Sequence, residues 1–271
     1  MKVFIGVDME GVSGVLDLSH TSENGFEYSK AREWLVGETN AAIEGALAAG
    51  ATEIWVNDSH GGNSAHNMLM DKIHPEAQLL SGNPKLVNID DSFDVLIQVG
   101  QHTMNGRFGV VSHSINGRVV KDIRINGRSF GEVGILAALA GHFGVPTAFV
   151  AGDDQVAEEA KEFMPWVNTG VVKWALGRSA ARCLPHQRAC DVIRNGVQNA
   201  LENLEAAKTF QVEAPLEIHM EFKDTGMAEG AHLMPGTDRL SGDVVAFTAS
   251  DFPEAHRAMK AMITLAMTAV R

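Results

Sequence analysis

The side chains with the greatest potential for chemistry in this 271-residue chain are carboxylates and imidazoles that closely follow short apolar runs. Four of them are Asp8, Glu10, His60 and His102. Asp8 and Glu10 are two residues apart in extended chain, so their side chains point the same way and repel each other unless a cation lies between them. A mixture of carboxylate and imidazole ligands suits zinc, manganese or cobalt better than calcium. The pattern predicts a metal site, although any one of these histidines alone would more often be a packed or surface residue.

Glu132 is a fifth candidate ligand, at the predicted start of a helix. Taken alone, an acid in a first helical turn would simply complement the helix dipole. Five ligands exceed what one tetrahedral zinc needs, whereas two metals that share one carboxylate would use all five. Asp8 is the natural candidate for that bridge. Two-metal sites of this kind recur in aminopeptidases, phosphatases and nucleases.

His113 is the candidate for a catalytic side chain beside these ligands. It lies in the segment Val110–Ile125, which is predicted to form strands that lead into a turn at Asn126-Gly127. If His113 faces the metals without binding one, it could transfer protons or stabilise an oxyanion. Otherwise, hydrogen bonds at the edge of a strand would satisfy its ring.

The elements that must position these residues alternate between strands and helices. The first half has predicted strands at Val3–Val7, Glu53–Val56, Val95–Val99 and Thr147–Val150, with predicted helices at Lys30–Ala49 and Glu132–Phe143. Such alternation favours an α/β fold with a mostly parallel sheet and helices on both faces. Open sheets of this kind bind ligands outside the carboxyl ends of their strands, which is where the candidate ligands fall.

The second half predicts a smaller α+β part. Apolar and polar residues alternate strictly from Leu216 to Phe222, as in a half-exposed strand of an antiparallel sheet. Its other predicted elements are a helix at Pro185–Ala207, a strand at Val244–Phe247 and a closing helix at Pro253–Val270. We expect a boundary near Gly177, with a metal-binding catalytic core at 1–177 and the smaller part at 178–271, or one continuous domain.

Composition excludes several classes of partner. The chain has 34 acidic and 22 basic residues and a net charge of -12, which makes it a poor ligand for nucleic acid or an anionic membrane. No apolar run approaches about 18 residues, so no membrane span is expected. Only two cysteines occur, and the first residues lack the long apolar core of a secretory signal. These features predict a cytoplasmic protein.

Seven short motifs resemble those of the zinc D-aminopeptidase (DppA-like) family, in the same order and context. They are Val7–Gly11, Asn57–His60, Gly100–His102, Ser112–Ser114, Gly131-Glu132, Ala151–Asp154 and Leu233–Thr237. The resemblance covers essentially the whole chain.

The resemblance implies a specific arrangement of the site. Asp8 would bridge two zinc ions, and His113 would correspond to the family's catalytic histidine. The remaining ligands would be Glu10 and His60 for one ion, and His102 and Glu132 for the other. It also implies removal of N-terminal D-residues from short peptides, and assembly as a double-ring homodecamer.

The chain is therefore expected to be a dinuclear zinc aminopeptidase in which a metal-bridged water is the nucleophile and His113 assists; manganese or cobalt could replace zinc. Two alternatives stay open: another two-metal hydrolase, such as a phosphoesterase, and a non-catalytic oligomeric scaffold that binds metal. Cys183, His186 and Cys190 suggest a structural zinc site only superficially, because a fourth ligand is missing. We expect packed thiols there, and a helix cap at Asp153 and Asp154.

Overall fold

Two sheets organise the chain in the computed structural model, which describes residues 1–61, 66–82 and 89–270. The strands are β1 (Lys2–Val7), β2 (Glu53–Asp58), β3 (Ala77–Leu80), β4 (Val95–Gln101), β5 (Val120–Ile125), β6 (Arg128–Ser129), β7 (Thr147–Asp153), β8 (Asn168–Gly177), β9 (Ala180–Cys183), β10 (Leu216–Phe222), β11 (Asp238–Arg239) and β12 (Val244–Ala249). The helices are α1 (Leu18–Thr21), α2 (Tyr28–Ala48), α3 (Glu132–His142), α4 (Asp154–Phe163), α5 (His186–Glu202), α6 (Thr225–Ala231) and α7 (Phe252–Ala266), with 3₁₀ turns at Leu204–Ala206 and Met267–Ala269.

The larger sheet has seven strands in the order β3-β2-β1-β4-β7-β8-β9. All neighbours are parallel except β9, which pairs antiparallel with β8. Successive side chains of a strand face opposite sides, and both sides are buried in β1. Val3 and Ile5 pack in the core that α2 and α5 cover, whereas Phe4 belongs to the core on the face of α3 and α4. The expected parallel sheet with helices on both faces is confirmed.

The smaller sheet has five antiparallel strands in the order β11-β12-β10-β5-β6. In β10 the predicted alternation holds: Leu216 and Ile218 are buried, and Glu217 between them is exposed. Side chains of α6 and α7 join the buried face of this sheet to the core beneath α3. This sheet therefore completes the covering of one side of the larger sheet.

The segment Val110–Ile125 departs from the predicted strands. Only Val120–Ile125 is a strand, and it pairs with β10 rather than joining the parallel sheet. Val111 and Ile115 have positive φ angles of 51° and 55°, which extended strands do not allow. The prediction that His113 belongs to a strand is therefore wrong; a loop carries it.

Strands are shared across the predicted boundary near Gly177. The hairpin of β8 and β9 spans that residue within the larger sheet, while β5 and β6 from the first part lie in the smaller sheet. The division into 1–177 and 178–271 stays a prediction, and this sharing favours its alternative of one continuous domain. Within the described ranges, no helix combines the length and the apolar character that crossing a membrane requires.

Candidate metal centre and active site

The carboxyl ends of three adjacent strands bring the predicted ligands together. Strand β1 lies between β2 and β4, and the amide of Asp8 donates to the Val99 carbonyl at 2.9 Å. His102 follows directly after β4, and His60 comes two residues after β2. Asp8, His60 and His102 are at most 8% exposed. The predicted convergence at this edge of the sheet is what the structure contains.

The first cluster of ligands is Asp8, Glu10 and His60. His60 Nδ1 lies 3.1 Å from Asp8 Oδ1 and 3.0 Å from Glu10 Oε2. Its Nε2 lies 2.8 Å from the carbonyl oxygen of Thr21, and because a carbonyl only accepts, Nε2 must carry a proton. Burial lowers the pKa of His60, but Glu10 and Asp8 outweigh it and hold the pKa well above its usual range. Nδ1 is thus directed at two carboxylates. A metal cation could take the place of a proton on this nitrogen.

The second cluster is Asp8, His102 and Glu132. His102 Nε2 lies 3.3 Å from Glu132 Oε1 and 3.8 Å from Asp8 Oδ2, and it makes no hydrogen bond to the described residues although it is fully buried. Its Nδ1 lies 3.0 Å from the carbonyl oxygen of Thr103, which fixes the proton on that nitrogen. Burial lowers the pKa of His102, and the carboxylates of Glu132, Glu10 and Asp8 raise it to about 10. The ring is therefore oriented as in many metal-binding histidines, with Nδ1 bonded to a backbone carbonyl and Nε2 directed at two carboxylates.

Asp8 belongs to both clusters, and within each cluster the ligand atoms lie within 4.8 Å of one another. Glu132 reaches the second cluster as the first residue of α3, and its Oε1 accepts a hydrogen bond from the amide of Ile115 at 2.8 Å. A third grouping, of Glu10, His102 and His113, also meets the same distance limit. The donor set of carboxylates and imidazoles is one that zinc favours. The residues present therefore fit the metal that the sequence predicts.

His113 borders the second cluster, and a loop rather than a strand carries it. Its ring stacks on that of His102, with centroids 4.2 Å apart and planes 13° apart. Nδ1 lies 2.8 Å from the Val111 carbonyl oxygen, and Nε2 lies 3.8 Å from Glu132 Oε1. Burial and the neighbouring His102 lower the pKa of His113, which favours the neutral ring. A neutral ring with its proton on Nδ1 presents a lone pair on Nε2 to the metal clusters.

A cavity of about 680 Å³ opens beside both clusters. Asp8, Glu10, His60, His113 and Glu132 contribute to its lining. The remaining walls come from the loop that follows His113, from α3, from one face of α7 and from the 3₁₀ turn that follows α7. A volume of this size accommodates a small ligand beside the metal ligands.

The family model for D-aminopeptidase matches residues 1–261. The chain belongs to the D-aminopeptidase family. The D-aminopeptidase of Bacillus subtilis (strain 168) is 39% identical over 273 aligned residues, which cover 98% of each protein. The solved structure of the Zn-dependent D-aminopeptidase DppA from Bacillus subtilis, described as a self-compartmentalizing protease, matches with a TM-score of 0.95 at 38% identity over 98% of each chain. The family suggested by the sequence motifs is thereby confirmed.

Sequence reasoning missed one residue that organises this D-aminopeptidase site. Lys173 of β8 is fully buried, and its Nζ donates to the carbonyl oxygens of Glu10, Val12 and Val15 at 2.5, 3.0 and 2.7 Å. These contacts hold the loop that carries the candidate ligand Glu10. No motif indicates this role, because the partners lie about 160 residues earlier in the chain.

Two other sequence candidates lie outside the metal clusters. Cys183 and Cys190 are free thiols; Cys190 is buried, with its Sγ 3.7 Å from His186 Nε2. Asp153 caps α4 as expected, because its side chain accepts a hydrogen bond from the Val156 amide at 2.8 Å. Its second oxygen accepts from the amide of Val110 at 2.8 Å and so anchors the start of the loop that leads to His113.

Proposed function

We propose that this protein is a zinc-dependent aminopeptidase that hydrolyses the N-terminal residue, a D-amino acid, from short peptides. The observation that carries the proposal is the position of Asp8 between two clusters of buried ligands, beside a cavity with His113 in its wall. The relatives named D-aminopeptidase give the reaction class and the stereochemistry. They favour a peptidase over the phosphoesterase and the scaffold that the sequence alone left open.

We further propose two zinc ions for each chain, with Asp8 as the shared ligand. One ion would take Asp8, Glu10 and His60, and the other would take Asp8, His102 and Glu132. When bound, the zinc supplies Lewis acidity for the scissile carbonyl and lowers the pKa of a water molecule. Hydrogen bonds from the second ring nitrogens of His60 and His102 to backbone carbonyls orient the rings for this task.

His113 is the proposed catalytic side chain. The Val111 carbonyl holds the proton on Nδ1, so Nε2 can accept a proton from the attacking water and later give it to the amine that leaves. The stacked ring of His102 restricts the plane of the imidazole. The geometry therefore supports an acid–base role over oxyanion stabilisation, which would need a proton on Nε2.

We also propose that the protein assembles as a double-ring decamer and that it is located in the cytoplasm. The relative DppA is described as self-compartmentalizing. In this chain, Phe26 and Leu233 are 86% and 72% exposed, and we propose that neighbouring subunits cover them. The two free thiols are consistent with a reducing compartment. Native mass spectrometry of the purified protein tests the decamer directly.

Metal content and stereospecific hydrolysis test the central proposal together. Elemental mass spectrometry on protein purified without chelator should find about two zinc ions per chain, and Asp8→Ala should lose both. The wild type should release D-alanine from D-alanylglycine faster than L-alanine from L-alanylglycine, and should leave a phosphoester such as p-nitrophenyl phosphate intact. One zinc per chain would remove the bridging role of Asp8. Absence of peptide hydrolysis by zinc-loaded protein would refute the aminopeptidase.

A further inference from the structure

The cavity beside the metal ligands carries charges of both signs. Its acidic residues are Asp8, Glu10 and Glu132, and Arg118 and Lys260 are the arginine and the lysine among the described residues that line it. The chain as a whole has a net charge of -12 and so repels anions. Two cations inside one cavity of such a protein form a local site to which an anionic group of a substrate could bind.

The loop that follows His113 brings Arg118 to the wall of the cavity that the metal ligands line. The amide of Ile115 donates to Glu132 Oε1 at 2.8 Å, which ties this loop to a metal ligand. Arg118 comes three residues later, so its Cα lies within about 10 Å of that of Ile115. Its own amide donates to Asn116 Oδ1 at 3.0 Å, which makes the loop turn, and its side chain is exposed.

Lys260 lies on the adjoining wall, which α7 provides. His256, Lys260 and Thr264 line the cavity at a spacing of four residues, so they share one face of that helix. The two walls are in contact, because Asn116 Nδ2 lies 3.3 Å from Met267 Sδ at the end of α7. The loop and the helix therefore present one cation each to the same cavity.

We propose that Arg118 and Lys260 form a subsite for the C-terminal carboxylate of a short peptide; this inference rests on the proposed function. The residue to be released must lie at the metal ligands, so a peptide of two or three residues extends one or two residues, at most about 4 to 7 Å, beyond that point. Arg118 and Lys260 line the same cavity as the metal ligands, and a peptide of this length ends within that cavity. Charge-assisted hydrogen bonds to a carboxylate are among the strongest available to a substrate. The subsite thus selects short peptides with a free carboxylate over amidated ones.

The test compares a peptide acid with its amide. Zinc-loaded wild type, Lys260→Gln and Arg118→Gln are assayed with D-alanylglycine and D-alanylglycinamide, and zinc content is measured for each protein. The wild type should favour the acid. Each glutamine variant should lose about tenfold in kcat/KM on the acid, mainly through KM, and keep its wild-type rate on the amide, since one charge-assisted hydrogen bond is removed.

Two further variants make the test specific. Lys260→Arg keeps the cation and should restore the preference for the acid. Arg257→Gln removes a charge from the same helix at an exposed position that does not line the cavity, and should behave as the wild type. Equal cleavage of acid and amide by the wild type would overturn the subsite, as would an unchanged preference in both glutamine variants. A wild type that cleaves neither peptide would instead refute the aminopeptidase itself.

Discussion

The Nζ atom of Lys173 lies 2.5 Å from the backbone oxygen of Glu10 and is wholly shielded from solvent. The same ammonium group also binds the carbonyl oxygens of Val12 and Val15. One buried lysine thus satisfies three carbonyl oxygens of the loop that follows β1. The position of the Glu10 carboxylate depends on that loop, so the lysine supports the candidate metal site through the backbone of the loop.

Lys173→Met should lower both stability and zinc affinity. Removal of the ammonium group leaves three buried carbonyl oxygens without their donor, at a cost of about 3 kcal/mol or more. Urea unfolding measures the first effect, and zinc retained after dialysis against a weak chelator measures the second. Lys161→Met, at an exposed position of α4, is the control and should alter neither. A Lys173→Met protein with wild-type stability would show that the hydrogen bonds of Lys173 do not contribute to the free energy of unfolding.

Gly100→Ala should disturb the site through a steric contact. A Cβ atom on Gly100 would lie 1.9 Å from the backbone oxygen of Asp8, and Gly100 has a φ of +70°. Gly50 is a matched control, because its φ is +87° and no atom lies within 4 Å of the added Cβ. We expect Gly100→Ala to cost about 1–3 kcal/mol more than Gly50→Ala. Equal losses in thermal or urea unfolding would mean that Asp8 and its strand move aside freely.

The convergence of the candidate metal ligands can be predicted from the sequence for a physical reason. Parallel strands that end in polar residues deliver them to one edge of a sheet, so Asp8, His60 and His102 could be grouped without coordinates. Their grouping depends on local patterns and on one general rule of topology. The candidate ligand Glu132 could be grouped with them because it is the first residue of a predicted helix.

The loop of His113 and the partner of β5 could not be predicted in the same way. Val111 and Ile115 are β-branched, which favours strands, yet tertiary contacts hold both at positive φ. Strand β5 joins β10, about 95 residues away, and no local pattern specifies a pairing at that separation. The role of Lys173 could not be predicted for a related reason. A lysine is rarely buried without partners, and the partners of Lys173 are remote in the sequence.

Glu38 should make stability depend on pH. It is fully buried in α2, and burial raises its pKa to about 7, against a hydrogen bond from the Ser13 amide and the charge of Lys173, which lower it. Because the folded pKa exceeds the unfolded value, the folded state binds the proton more tightly. The stabilisation is therefore complete below about pH 4.5 and is lost as pH rises to about 7.

Glu38→Gln should remove that part of the pH dependence. The free energy of unfolding in urea is compared at pH 5 and pH 8 with zinc chelated from both proteins, so that metal release does not contribute. We expect the wild type to lose on the order of 2–3 kcal/mol more than the variant between these values. Glu205→Gln, at an exposed position, controls for the loss of one acidic residue. Parallel curves for wild type and Glu38→Gln would rule out titration of this carboxyl in the range.

His113→Ala separates catalysis from metal binding. His113 Nε2 lies 3.8 Å from Glu132 Oε1, so the ring borders the second cluster and could act on a substrate there. As an acid–base residue, it should contribute about 10²–10⁴-fold to kcat, with zinc content unchanged in the variant. His142→Ala, which removes an exposed imidazole, should keep both activity and zinc. Loss of one zinc ion in His113→Ala would instead make this histidine a ligand, in the grouping with Glu10 and His102 that the distances also allow.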